Sequence, residues 1–454
     1  MAIYKSINPY NQELIGEFSE DSSAELEAKI AIAQGLSPLE DHYSFPIRRK
    51  AIQNLARLLR ERKTELAAHI CDEMGKVLKE AEAEVEKCAW LCEYYFEKSP
   101  EFLADLKLDL GDAQAIRRYE ALGVILGIMP WNFPLWQVFR FAVPAIIAGN
   151  RVLLKHAPNC NFSADDLQKL FDDTGLAAGA YTAVRLSNET VADLLRDARI
   201  KGVSLTGSEK AGRSVAEIAG RELKPQVLEL GGSNAFILHS SAKVKTAAEL
   251  ASRARLLNAG QSCIAAKRFL VHESLYTEFI QELKAVFSTY SIGDPKAAGT
   301  HIGPLARPDL KAHALRQIEE SLAQGASLEL GGKGDGNFLE PTILSGVNPE
   351  MTVFKEEVFA PIASILSYSD FDEVIAISNS SRYGLGVSLI GEDRDFLLSQ
   401  ASRFEEGAVF INDLVKSDPR LPFGGVKNSG FGRELGPEGI HSFCNLKTIY
   451  LKGD

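Results

Sequence analysis

Cys263 closes the run Asn258-Ala-Gly-Gln-Ser-Cys, and a thiol is the side chain best suited to attack a carbonyl carbon. The glycine permits a tight backbone approach, and the cysteine falls where a helical pattern meets a strand pattern. A thiol with the ordinary pKa of about 8.5 needs activation to react at neutral pH. Glu229, in Glu-Leu-Gly-Gly, ends an apolar run. Desolvation there raises a carboxyl pKa and suits it to general-base work. Asn132 stands between two aromatics and two prolines in Pro130-Trp-Asn-Phe-Pro. A rigid amide donor of this kind stabilises a developing oxyanion, an effect worth roughly 3 kcal/mol. Thr206-Gly207-Ser208 joins a strand pattern to a helix pattern, and a helix N-terminus with small residues suits a pyrophosphate. Taken singly, each motif also has a structural explanation: a core thiol, a glutamate at a strand end, a proline-stiffened turn, an ordinary strand-to-helix turn. No Gly-x-Gly-x-x-Gly follows a strand, so the usual dinucleotide fingerprint is absent.

These residues need elements to hold them. Ser22-Ser-Ala-Glu25 reads as a capping box that opens a helix towards Leu36. A helical region follows from Pro46 to about Met74, and another runs from Val77 to Phe96, with Cys88 and Cys92 on its buried face. Strand patterns begin at Arg118–Met129. Short apolar runs at 152–154, 202–205, 227–230 and 235–238 then alternate with helical segments at 164–171 and 208–220. After Cys263, a helical pattern at 275–287 is followed by strands near 363–366, 387–390 and 408–411, with one at 269–271 before it. Continuous apolar runs between helices predict buried parallel sheets. The reading is α/β, with one lobe on each side of Gly260 and a surface strand at Thr448–Leu451.

The chain has 454 residues, too many for one core. Its formal net charge is -11 and its basic residues are dispersed, which argues against nucleic acid as a partner. The N-terminus lacks an apolar signal region, and runs such as Phe141–Ala148 are too short to span a membrane. The six cysteines form neither a disulfide nor a zinc pattern, so the expectation is a cytoplasmic protein without a bound metal.

In order and spacing, these motifs, with Lys155, Glu357-Val-Phe-Ala-Pro and Pro422-Phe-Gly-Gly-Val-Lys, make the chain resemble the aldehyde dehydrogenase superfamily from Asn8-Pro9 to the tail. Met129-Pro-Trp-Asn-Phe-Pro-Leu-Trp-Gln-Val, Leu153-Leu-Lys-His-Ala-Pro-Asn and Gly430-Phe-Gly-Arg-Glu-Leu resemble the short bacterial NAD(P)-dependent succinate-semialdehyde dehydrogenases. The resemblance implies two Rossmann-like parallel-sheet domains and a small β oligomerisation arm. Residues 1–105 and 120–234 then bind cofactor, 235–422 form the catalytic domain, and 106–119 with 435–454 form the arm of a homodimer or homotetramer. It implies that Cys263 is the nucleophile, that Asn132 and the Cys263 N–H hold the oxyanion, and that Glu229 activates the hydrolytic water. Trp131, Lys155, Thr206, Gly207, Ser208, Glu357 and Phe359 become the cofactor-binding residues. Ala360 replaces the glycine usual in the Glu-x-Phe-Gly-Pro motif.

Related NAD-preferring enzymes place a glutamate three residues after the lysine. Pro158 stands there in this chain, so nothing repels a 2′-phosphate, and both NADP and NAD are expected to serve. Arg140 lies eight residues after Asn132, where larger succinate-semialdehyde enzymes have a substrate arginine. Their second arginine position holds Leu257 here. Arg255 lies two residues earlier, and Lys416, Ser417 and Arg420 share a loop that supplies further donors. The expected substrate is a small aldehyde that carries a carboxylate. Glutarate semialdehyde, an aliphatic aldehyde or an aminoaldehyde are the alternatives on the same fold. Glu229 argues against transfer to CoA, and intact Asn132, Glu229 and Cys263 argue against an inactive cofactor-binding protein. Ala265 occupies the place of a second cysteine found in some relatives, so no local disulfide switch is expected.

Overall fold

Short apolar runs build two parallel sheets, and the candidate residues lie at strand ends between them. The computed structural model describes residues 2–453. The first sheet has six strands in the order Gly430–Phe431, Gln226–Glu229, Ile200–Thr206, Val124–Ile128, Arg151–Lys155, Tyr181–Val184. All its pairs are parallel except Gly430–Phe431 with Gln226–Glu229. Ile125, Leu126, Val152, Leu153, Leu154 and Val203 are wholly buried, as in a parallel sheet covered on both faces. Gly127 matters for that cover: a Cβ there would lie 2.4 Å from the Phe141 ring.

The second sheet has seven strands in the order Ser327–Leu330, Thr342–Ser345, Ile362–Tyr368, Ala266–His272, Asn234–Leu238, Val387–Ile390, Val409–Ile411. Only its first pair is antiparallel. Sheet membership therefore changes across Gly231–Ser233, between the strands Gln226–Glu229 and Asn234–Leu238, and not at Gly260. The chain also returns to the first sheet with Gly430–Phe431. A third sheet pairs Cys444–Lys452 with Ala113–Ala121, and the latter with Leu106–Asp109.

The first helix is Ser23–Gly35, and Ser22 and Glu25 form the reciprocal capping box read from the sequence. Three patterns were subdivided or extended by tertiary packing. The region expected as one helix to Met74 is two, Phe45–Glu61 and Lys63–Met74, broken at Arg62, whose φ is -102° and ψ 12°. The next helix runs on to Phe102 through Pro100. Proline leaves the carbonyl of Phe96 without its helical donor, and Arg49 fills the gap with Nε at 3.1 Å and Nη2 at 2.8 Å. The strand expected over Arg118–Met129 is two strands in different sheets, Ala113–Ala121 and Val124–Ile128. Gly123, at φ +138°, makes the corner. No helix of the described residues is long and apolar enough to cross a membrane.

Candidate active site

Cys263 follows a strained turn. The helix Val244–Leu256 ends, and Asn258 (φ 55°), Ala259 (φ 52°) and Gly260 (φ 74°) are all left-handed. Non-glycine residues hold that conformation only where their surroundings impose it. Arg255 imposes it: Nη2 donates to the Gly260 carbonyl at 2.5 Å and Nη1 to that of Ala266 at 2.8 Å. Asn258 Nδ2 donates to the Asn132 carbonyl at 2.8 Å, and Asn132 Nδ2 donates to that of Gln261 at 3.1 Å. From the far side, Lys267 Nζ donates to the carbonyls of Ser262 at 2.9 Å and Cys263 at 2.7 Å. The sequence suggested Arg255 as a substrate ligand. Its guanidinium is instead wholly buried, committed to backbone carbonyls, and absent from the cavity wall.

Glu229 ends its strand 2% exposed, with neither carboxylate oxygen hydrogen-bonded to protein. Burial pushes its pKa well above the ordinary carboxylate range, the Glu434 carboxylate adds to this, and Arg140 and Arg433 oppose it. Gly424 makes room for it, because a Cβ there would lie 2.7 Å from Glu229 Oε1. Arg140 Nε is 2.7 Å from Glu434 Oε2 in a buried ion pair, and its guanidinium carbon is 4.5 Å from the Phe423 ring centroid. Among the described residues neither Arg140 Nη2 nor Nε has a hydrogen-bond partner, so the Glu434 contact is an ion pair by proximity alone. Burial pushes the Cys263 thiol up to about 11, while Arg140 and Lys267 pull it down.

Cys263 and Arg140 share a cavity of about 540 Å³, whose wall also includes Lys87, Trp136, Arg253, Leu257 and Ser417. The helix Trp136–Ala148 carries Arg140 into it. That helix is capped by a distant carboxylate: Glu84 Oε1 accepts from the N–H groups of Leu135 at 2.9 Å and Trp136 at 3.0 Å, while Oε2 pairs with buried Lys76. Lys416 lines the cavity but pairs with Asp413 at 2.6 Å. Arg420 does not line it, because Asp418 holds its guanidinium at 2.7 Å. Glu229 is not part of the cavity wall.

A second cavity of about 400 Å³ lies at the N-terminal end of the helix Glu209–Arg221. Lys155, Asn188, Ser208, Lys210 and Ser214 line it, with Ile128, Val191, Leu205 and Val215 as apolar surface. Ser208 caps the helix through Ala211 N, and Thr206 Oγ1 is buried without a partner. Lys155 has no ion-pair partner among the described residues, and burial lowers its pKa. Glu357 belongs to neither cavity wall; its Oε1 accepts from Gly232 N at 2.9 Å and lies 3.4 Å from Lys267 Nζ. Phe359 meets Trp131 edge-on at 5.8 Å.

Residues 2–449 match the model of the aldehyde dehydrogenase family. The chain belongs to that family. It is 42% identical over 449 residues to a probable NADP+ succinate-semialdehyde dehydrogenase of Synechocystis sp., covering 98% of this chain and 99% of the relative. It is 41% identical to an NAD(P)+ succinate semialdehyde dehydrogenase of Escherichia coli, covering 98% and 97%. The succinic semialdehyde dehydrogenase of Streptococcus pyogenes, solved with NADP+, superposes with a TM-score of 0.96 at 37% identity, over 99% of this chain and 100% of that one. As an NAD(P)-dependent aldehyde dehydrogenase, the enzyme needs an adenosine site, and the second cavity fits one. It offers an unpaired lysine, the hydroxyls of Ser208 and Ser214 and a capped helix N-terminus over an apolar floor.

Lys267 and Glu84 of this aldehyde dehydrogenase gave no sequence signal, whereas His156 lies in a quoted motif. Lys267 and Glu84 act through backbone groups that only the fold brings near. His156 bridges two motif loops, with Nε2 at 2.8 Å from the Pro134 carbonyl and Nδ1 accepting from Ala157 N at 2.7 Å. Burial lowers its pKa to about 4, so it stays neutral. Glu434 did have a signal, since it adjoins Arg433 in a quoted motif.

Proposed function

We propose that this enzyme oxidises succinate semialdehyde to succinate, with NADP+ or NAD+, through a thioester on Cys263. The observation that carries the reading is one cavity holding both the Cys263 thiol and an Arg140 guanidinium whose Nη2 has no protein partner. The names of the relatives agree with it. Arg140, Lys87 and Arg253 make the wall cationic, which disfavours an aminoaldehyde.

In this reading Cys263 attacks as its thiolate, forming the carbon–sulfur bond while the carbonyl electron pair moves to oxygen. The second N–H of Asn132 Nδ2 and the Cys263 N–H receive that oxyanion. A nicotinamide held there would supply the acceptor for the hydride lost from the adduct carbon, which leaves Cys263 acylated as a thioester. Glu229, turned towards Cys263, takes a proton from water as the water attacks the thioester, and sulfur departs as thiolate. Lys155, Thr206, Gly207 and Ser208 would hold the adenosine half of the cofactor, and Trp131, Glu357 and Phe359 would hold its nicotinamide half.

The test is cofactor reduction with either nucleotide against succinate semialdehyde, glutarate semialdehyde, butyraldehyde and an aminoaldehyde. The semialdehyde acids should lead by tenfold or more in kcat/KM, about 1.4 kcal/mol of transition-state preference. Arg140→Lys keeps a cation for Glu434 but loses the fork, and should cost the acids far more than butyraldehyde. Equal rates on butyraldehyde would end the substrate assignment.

We also propose that the third sheet docks a second copy, giving a homodimer or homotetramer. Leu106, Leu108, Leu446 and Leu451 are exposed on it, and Cys444–Lys452 is an edge strand. Leu446→Asp should lower the mass seen by light scattering, and a monomeric parent would sink the idea. All six cysteines are free thiols, which supports a reducing, cytoplasmic setting.

A further inference from the structure

Lys87, on the helix Leu78–Phe102, faces the cavity shared by Cys263 and Arg140. Its Nζ donates to Ser417 Oγ at 2.8 Å and lies 4.2 Å from the Trp136 ring centroid. Trp136 Nε1 donates to the same oxygen at 3.0 Å. Two donors occupy both lone pairs of that hydroxyl, so its own hydrogen is left to donate elsewhere. Three other cations near the cavity are paired, Lys76 with Glu84, Arg140 with Glu434 and Lys416 with Asp413, while Lys79 and Arg253 line the cavity without an ion pair among the described residues. Among the described residues, Lys87 has no carboxylate within 4.0 Å. A largely enclosed cation without a counter-ion is costly, and an anionic ligand removes that cost.

We infer that Lys87 Nζ and the Ser417 hydroxyl complete, beside Arg140, the subsite that takes the substrate's carboxylate. This rests on the semialdehyde-acid reading above. It assigns the second cation to a helix remote in sequence from every motif, in place of the arginine that Leu257 replaces and of Arg255, which holds the Cys263 turn. Lys87 selects the substrate without touching the reacting carbon.

The charged and titratable groups around Lys87 are Glu84 and Cys88 on its own helix, Arg140 on the helix Trp136–Ala148, and Asp418 on the Ser417 loop. Burial first, and Arg140 second, bring its ammonium down to about 8. The cation is therefore full below that pH and lost above it.

The experiment compares the purified parent, Lys87→Met and Lys87→Arg on succinate semialdehyde and butyraldehyde, from about pH 7 to about pH 9. In Lys87→Met, the loss of kcat/KM on the acid should exceed the loss on butyraldehyde at least tenfold and should reside in KM. Lys87→Arg should recover most of it. In the parent, KM for the acid should rise through about pH 8 relative to that for butyraldehyde, and the arginine variant should abolish that step. This parent measurement stands even if Lys87→Met does not fold. Equal losses on both substrates, or a parent KM ratio that stays flat with pH, would overturn the role of Lys87. A parent with no preference for the acid would instead overturn the substrate reading itself.

Discussion

Cys263→Ala is expected to abolish turnover while leaving the fold intact. The fall in kcat/KM should be roughly 10⁴-fold or more, the scale seen when a covalent nucleophile is removed. The architecture around the sulfur explains why the loss should be clean. Lys267 holds the carbonyls of Ser262 and Cys263, and Arg255 holds that of Gly260, so the turn is fixed through backbone and not through the thiol. The Cys263 side chain also lines a cavity, so trimming one sulfur should change the melting temperature little. Asn132 and the cofactor residues remain in place. Titration of the variant with NADPH should therefore give the parent's affinity. Residual activity within tenfold of the parent would remove Cys263 from the mechanism.

Glu229→Gln should separate the two halves of the reaction. A positioned general base contributes about 10²- to 10⁴-fold, and the loss should fall on hydrolysis. The variant should release one equivalent of reduced cofactor in a burst and then stall. Burial and Glu434 raise the Glu229 pKa, so its base form grows as pH rises above the ordinary carboxylate range. The parent's steady-state rate should climb with pH there, and the variant's should not. The same shift has a stability sign. A carboxyl whose folded pKa is raised contributes stability at low pH and loses it as pH climbs through the folded value. An amide cannot ionise, so Glu229→Gln should melt no lower than the parent at neutral and alkaline pH. A variant with an unchanged steady-state rate would return Glu229 to a structural role.

Strands were legible because parallel sheets bury both faces, and runs such as Val152–Leu154 carry that signature without needing alternation. Cys263, Glu229 and Asn132 were legible because turn chemistry pins them: prolines beside Asn132, glycines beside the other two. What spacing could not show was direction. Arg255 sits near the expected place for a substrate arginine, yet the left-handed turn at Asn258–Gly260 needs its guanidinium, which points into the protein. Arg140 lines the cavity, but its buried partner Glu434 comes from a segment almost at the other end of the chain. Lys87 and Glu84 were unreadable for the same reason: a long amphipathic helix gives no sign of which polar residue will meet a distant loop. The apolar pattern alone put the change of lobe at Gly260, because the strands before and after Gly231–Ser233 are equally apolar, whereas the family resemblance put it between 234 and 235, beside the observed change of sheet.

The most direct test of the account is mass spectrometry of Glu229→Gln protein after brief exposure to succinate semialdehyde and NADP+. The account predicts one added succinyl group, carried by the peptide that contains Cys263 and released by hydroxylamine. Reduced cofactor formed with no acyl group on the protein, or an acyl group on a different residue, would contradict it.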